Sequence, residues 1–167
     1  RILAYPVDEF VSDFIGSGST LKGLNFERVR DIEWNTTFPV ATEGDDVAEA
    51  RRRLAASPEV WMLVLDREGR PSRWVNETML DAPGATLGSV GPQVRAKVLP
   101  NATLHDALEE LLLSNAGQAV VIDEKGRYQG IVDVDRLADV LKRMRADAKR
   151  HYDQLATAAA DEAVAST

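Results

Sequence analysis

The stretch Gly126–Leu141, GRYQGIVDVDRLADVL, decides how the rest of the chain is read. It opens on a glycine suited to a tight turn and runs through a short apolar segment. It then meets acids at Asp133 and Asp135 and takes up helical spacing. A fainter copy, GRPSRWVNETML, occupies Gly69–Leu80. Aligning DREGR (66–70) on DEKGR (123–127) fixes an offset of 57 residues, and the register holds without a gap in both directions. Ala50 then falls on Ala107, Leu54 on Leu111, Ser57 on Ser114, Val64 on Val121, Val75 on Val132 and Leu80 on Leu137. The matched positions are core-type residues and the turn glycine, where a fold dictates residue type.

Both copies share one local order. Asp45 and Asp46 in the first, and residues 101–103 in the second, offer N-cap chemistry before a helix. Leu104, Ala107, Leu108, Leu111 and Leu112 follow the helical period. VWMLVLD and QAVVID are nearly continuous apolar runs, the pattern of strands covered on both faces. DREGR and DEKGR are hairpin turns with Gly69 and Gly126 at positive φ. RWVN and GIVD return as second strands, and FPVAT and RAKVL supply a strand before each first helix. The predicted fold is α/β (α+β): two tandem β-α-β-β-α units packed sheet on sheet about a pseudo-two-fold axis. In the first unit a Pro/Gly-rich connection, residues 81–93, replaces a clear second helix.

Composition narrows the function. The 167 residues are 44% hydrophobic and 28% charged, as in ordinary globular proteins, and the net charge of −7 argues against a nucleic-acid partner. The absence of cysteine excludes disulfides and thiolate metal sites. No apolar run reaches 18 residues. The chain begins at Arg1 with neither Met nor signal peptide, so it is expected to be a piece of a longer protein.

The order of elements, the run VVIDEKGRYQGIVDVDRL and the tandem spacing resemble a pair of CBS domains (a Bateman module) over roughly residues 34–145. Arg73 stands where that family usually has glycine. Upstream, P-x-D-x-F-V-x-D-F-I-G (residues 6–16) is similar to the tail of the ATPase core in ABC importers of glycine betaine, proline and related osmoprotectants. There a tandem CBS module follows. The resemblance implies an ATPase tail and linker over 1–33, with Val11, Phe14 and Ile15 on a short N-terminal helix. It further implies CBS repeats over 34–90 and 91–145, and a long C-terminal helix continuing through 146–167. It also implies a homodimer joined to an ATPase core and a membrane permease, cytoplasmic and peripheral at the inner face of the cell membrane. Dimerisation would bury helix faces near Leu104–Leu113 and Leu137–Met144. No G-x-x-x-x-G-K-[ST] phosphate loop and no LSGGQ occurs, so the chain is read as regulatory, with no catalytic residues.

Ligand positions follow from the same resemblance. In nucleotide-binding CBS domains a Thr or Ser after the Gly-apolar-apolar strand holds phosphate, and an acid three residues later binds ribose. Here those positions are Asp133 and Arg136, and in the first repeat Asn76 and Met79. A carboxylate at 133 repels phosphate, whereas Arg136 suits it. Asp133 equally suits the N-cap of the helix opening at Val134. The implied ligand surface comprises Val98, Thr103, Ala119, Val120, Asp133 and Arg136, and the implied ligand is an adenine nucleotide or cyclic di-AMP. A ligand-free dimerisation scaffold stands beside that reading.

Some importers of this kind respond to ionic strength through charge on the module. KRMRADAKRH (142–151) offers Lys142, Arg143, Arg145, Lys149 and Arg150, largely off an apolar stripe of Leu137, Leu141, Met144, Ala148 and Leu155. Beside an anionic membrane each exposed cation contributes about 1 kcal/mol, weakened by salt. A solvated helix face is the plainer reading of these residues, as it is of Arg51–Arg53 and of His105 with Glu109. No metal ligand set is assigned. Gly16–Ser19 reads as a linker rather than a phosphate loop.

Overall fold

A computed structural model describes residues 24–165. The helix expected around Val11, Phe14 and Ile15 and the linker at Gly16–Ser19 lie outside the described residues. The first repeat contains β1 (Val40–Thr42), α1 (Val47–Ala55), β2 (Trp61–Leu65), β3 (Pro71–Asn76) and α2 (Glu77–Asp81). The second contains β4 (Lys97–Val98), α3 (Leu104–Leu113), β5 (Gln118–Ile122), β6 (Tyr128–Asp133) and α4 (Val134–Ala165).

Two three-stranded sheets result, ordered β1-β2-β3 and β4-β5-β6. In each the first pair is parallel and the second antiparallel. The 57-residue offset survives in the pairing: Met62 faces Val75 as Ala119 faces Val132, and the hairpins shift register at equivalent steps, Val64/Leu65 and Val121/Ile122. The hairpin turns are built alike. Asp66 Oδ1 accepts the N–H groups of Glu68 and Arg70, and Asp123 Oδ1 those of Lys125 and Arg127. Gly69 and Gly126 follow at φ +84 and +82, where a side chain would be strained.

The helix ends show which local signals acted. Thr103 and Asp106 form a reciprocal capping box at α3. Asp46 occupies the N-cap of α1 without a side-chain bond, while Asp45 Oδ2 accepts from Thr42 N–H at 2.9 Å. The first repeat does have a second helix, contrary to expectation, but α2 is five residues long. Asn76 caps it, and Pro83 forces Ala82 into an extended conformation that ends it. No proline or glycine follows Val134 up to Ala165, and α4 runs for 32 residues.

Strand alternation splits the core three ways. Met62 and Val64 pack with Ala50, Leu54 and Leu80 under the helices of the first repeat. Ala119, Val121 and Val132 do likewise with Leu104, Ala107, Leu111, Leu137 and Leu141 in the second. Leu63, Trp74, Val120 and Ile131 point the other way and join the two sheets, with Phe38 edge-on to Trp74 at 5.9 Å. Each such side chain contributes about 1.5–3 kcal/mol on burial. Leu137 and Leu141 are 0% exposed within this single chain, so the α4 stripe covers its own core and is not kept for a second module. On α3 the exposed apolar residues are Leu112 and Leu113, at 47% and 75%.

The repeats also exchange leading segments. Asn35, ahead of the first repeat, trades both main-chain hydrogen bonds with Ile131 of β6, at 2.8 and 3.0 Å. Pro92, 57 positions later, accepts from Trp74 N–H of β3 at 2.9 Å, and Val94 N–H donates to Ser72. Glycines make room on opposite members of the two contacts. A Cβ on Gly130 would lie 2.9 Å from the Trp34 Cβ, and one on Gly91 would lie 1.9 Å from the Trp74 carbonyl oxygen. Arg73 therefore needs no glycine, because its partner strand supplies Gly91. Its guanidinium donates to the Gly88 and Gly91 carbonyls at 3.1 and 2.8 Å. The hairpin tips meet as well, through Tyr128 N–H to Gly69 O and Arg70 Nε to Lys125 O.

Candidate functional site

The site begins where β6 hands over to α4. Asp133 Oδ1 accepts the Arg136 main-chain N–H at 2.9 Å, so Asp133 is the helix cap. Its Oδ2 receives Arg136 Nη1 at 2.8 Å. In the first repeat Asn76 Oδ1 accepts the Met79 N–H at 3.0 Å in the equivalent place. Both positions that the resemblance assigns to phosphate are thus occupied by capping side chains.

The other implied ligand residues are dispersed. Val98 and Ala119 lie in the core beneath α3 and α4, and Val120 faces the opposite sheet; none presents appreciable surface. Thr103 Oγ1 accepts from Asp106 N–H at 3.1 Å at the start of α3. Of the six, the fold brings Asp133 and Arg136 into contact.

A cleft of about 500 Å³ lies beside them, between residues 31–33 and the first turns of α4. Asp31, Glu33, Asp135, Asp139, Arg136 and Arg143 supply its charged lining. Arg136 is already neutralised by Asp133. A polyphosphate entering here would meet more carboxylates than guanidinium groups, whereas a ligand carrying hydrogen-bond donors would be well matched. The segment 31–33 gave no signal in sequence, because two acids and an isoleucine outside any repeat resemble a linker.

The cations of α4 are displayed. Lys142, Arg143, Arg145, Lys149 and Arg150 are all exposed, and Arg150 pairs with Asp147. The Arg51–Arg53 triplet is instead tied to its own repeat: Arg51 to Asp81 at 2.7 Å, Arg52 to Glu49, and Arg53 to the Val40 carbonyl at 3.0 Å. His105 Nδ1 lies 3.6 Å from Glu109 Oε1, with Asp106 close by. Asp106 Oδ2 accepts from Thr103 N–H at 3.2 Å, which engages its carboxylate in the cap. No helix among the described residues is long and apolar enough to cross a membrane.

Residues 95–143 match the CBS domain family model. That match falls on the second repeat. The fold matches that of CBS-pair structures over about three quarters of the chain: the CBS-pair protein CBSX2 from Arabidopsis thaliana is similar with a TM-score of 0.60 at 19% identity, covering 74% of this chain and 97% of that one. Staphylococcus aureus OpuCA matches with a TM-score of 0.54 at 14% identity, covering 64% and 94%. In sequence, this chain is 26% identical over 141 residues to the osmoprotectant import ATP-binding protein OsmV of Salmonella typhimurium. The match covers 84% of this chain and spans 37% of the length of that relative.

Proposed function

We propose that this CBS pair is the regulatory module of the ATP-binding subunit of a glycine betaine/L-proline class ABC importer, and that it gates transport. The observation that carries this reading is the likeness to OsmV over 84% of the chain, and the exchange of leading segments at Asn35–Ile131 and Pro92–Trp74 ties the two repeats to each other. The module then works by population shift: a ligand or ionic condition favours one arrangement over another. An adenine nucleotide or cyclic di-AMP is the proposed ligand, held at Arg136 once Asp133 releases it and against the acidic lining of the cleft; CBSX2 has been solved in complex with AMP. The partners are a second copy of the module, met through the exposed face at Leu112 and Leu113, the ATPase core and the permease, at the inner face of the cell membrane. Lys142, Arg143, Arg145, Lys149 and Arg150 face the anionic lipid there and supply the salt response.

A second reading, a dimerisation scaffold without ligand, is favoured by the closed Asp133–Arg136 pair. Thermal unfolding with AMP, ADP, ATP and cyclic di-AMP separates the two. A ligand bound only by the folded state at a hundredfold excess over Kd adds about 2.7 kcal/mol. The sensor reading expects a shift with one of these, lost in Arg136→Ala. No shift with any of them leaves the scaffold.

A further inference from the structure

Residues 24–35 precede the first repeat in the chain yet lie on the second. Leu24 and Val29 are 0% exposed in the second repeat's core, with Ile32 and Trp34 packed against it. The hydrogen bonds agree. Val29 and Arg30 donate to the carbonyls of Ala102 and Pro100, at 2.9 and 2.8 Å. Leu104 and His105 donate to Glu27 and Leu24, at 2.9 and 3.2 Å. These last two are first-turn N–H groups of α3, which have no partner inside their own helix. Carbonyls from a distant segment therefore complete the start of α3.

The seat is nevertheless narrow. Asn25, Phe26, Arg28, Arg30, Asp31 and Glu33 are all exposed, Phe26 at 85%. Against α4 the segment is separated by the open cleft, where Asp31 and Glu33 stand on one side and Asp135 and Asp139 on the other. Six of the twelve residues are exposed, and a narrowly seated segment of this kind opens before the whole protein unfolds.

We propose that residues 24–35 are a strap that seats on the second repeat and leaves it as one unit. A molecule in the cleft touches strap and α4 together, so its binding bears directly on the seat. This deepens the regulatory reading above but rests on it only for purpose.

Native-state hydrogen exchange on the 167-residue chain, without ligand, tests it. The amides of Val29, Arg30, Asn35, Leu104 and His105 are expected to exchange through one common opening, at least tenfold faster than Leu63 and Val120. Val29→Ser should speed those five by one common factor of tenfold or more. Exchange of the five at the rate of Val120, or at five unrelated rates, overturns the strap, as does a variant that speeds them by unequal factors. Because no nucleotide is present, failure of the nucleotide reading leaves this result intact, and the reverse also holds.

Discussion

Arg136 donates twice to Asp133, through its main-chain N–H to Oδ1 and through Nη1 to Oδ2 at 2.8 Å. One carboxylate thus caps α4 and holds the cation nearest the cleft. A charged pair on one helix turn that is partly withdrawn from water costs little to keep and more to break.

Replacing Asp133 separates its two roles. Asp133→Ala removes the cap and should lower stability by about 1 kcal/mol, within a range of about 0.5–2. Asp133→Thr keeps a capping hydroxyl while releasing Arg136, so its loss should be smaller. Nucleotide affinity, read by calorimetric titration, should rise in the Thr variant relative to the parent. Unchanged affinity would mean that the carboxylate is not what keeps phosphate out.

The glycines are unequal. Gly91 is at φ +87 with the Trp74 carbonyl where a Cβ would go, so Gly91→Ala should cost more than about 2 kcal/mol in chemical denaturation. Gly84 is at φ +73 with nothing within 4 Å, and Gly84→Ala should cost only the backbone term, about 1 kcal/mol. Equal losses would refute the close approach at the linker.

Tyr128 adds a dependence on alkaline pH. Burial raises its phenol from 10.0 to about 12, and its hydroxyl is buried without a partner. Its contribution is therefore complete below the unfolded value of 10.0 and falls as pH climbs from there toward about 12. Tyr128→Phe should leave stability at pH 7 unchanged or slightly higher and flatten that alkaline decline.

Asp123 acts at the other end. The Arg127 main-chain N–H leads the bonds that hold its pKa below the ordinary 3.8, joined by the Lys125 N–H and the charges of both residues, against some desolvation. Its contribution is present above 3.8 and is lost as pH falls through the folded-state value. Asp123→Asn should remove that part of the acid dependence, followed by circular dichroism between pH 5 and pH 2.

Much of this architecture was legible in sequence because it is periodic. The 57-residue offset announced both hairpins, and the turn glycines and alternating strands fell where the repeat put them. The strap was not legible. Leu24 and Val29 sit among polar residues without helical or strand spacing, and their partners lie in the other half of the chain. The glycine exchange was half visible: Arg73 stood out as a departure, but its complement Gly91 belongs to a linker whose pairing leaves no local pattern. At the site, a cap at Asp133 could be read from residue type. Val98, Ala119 and Val120 could not be placed from sequence, since one residue of register decides which face of a sheet a side chain takes.

That two repeats with exchanged leading segments behave as one body is tested most directly by comparing Leu54→Ala in the first repeat with Leu111→Ala in the second. Both side chains are buried, and each truncation should cost about 2–5 kcal/mol. Unfolding should be followed through a probe in each sheet. One shared transition, moved equally for both probes by either variant, is the predicted result. Two transitions, with each variant moving only its own repeat, would contradict it.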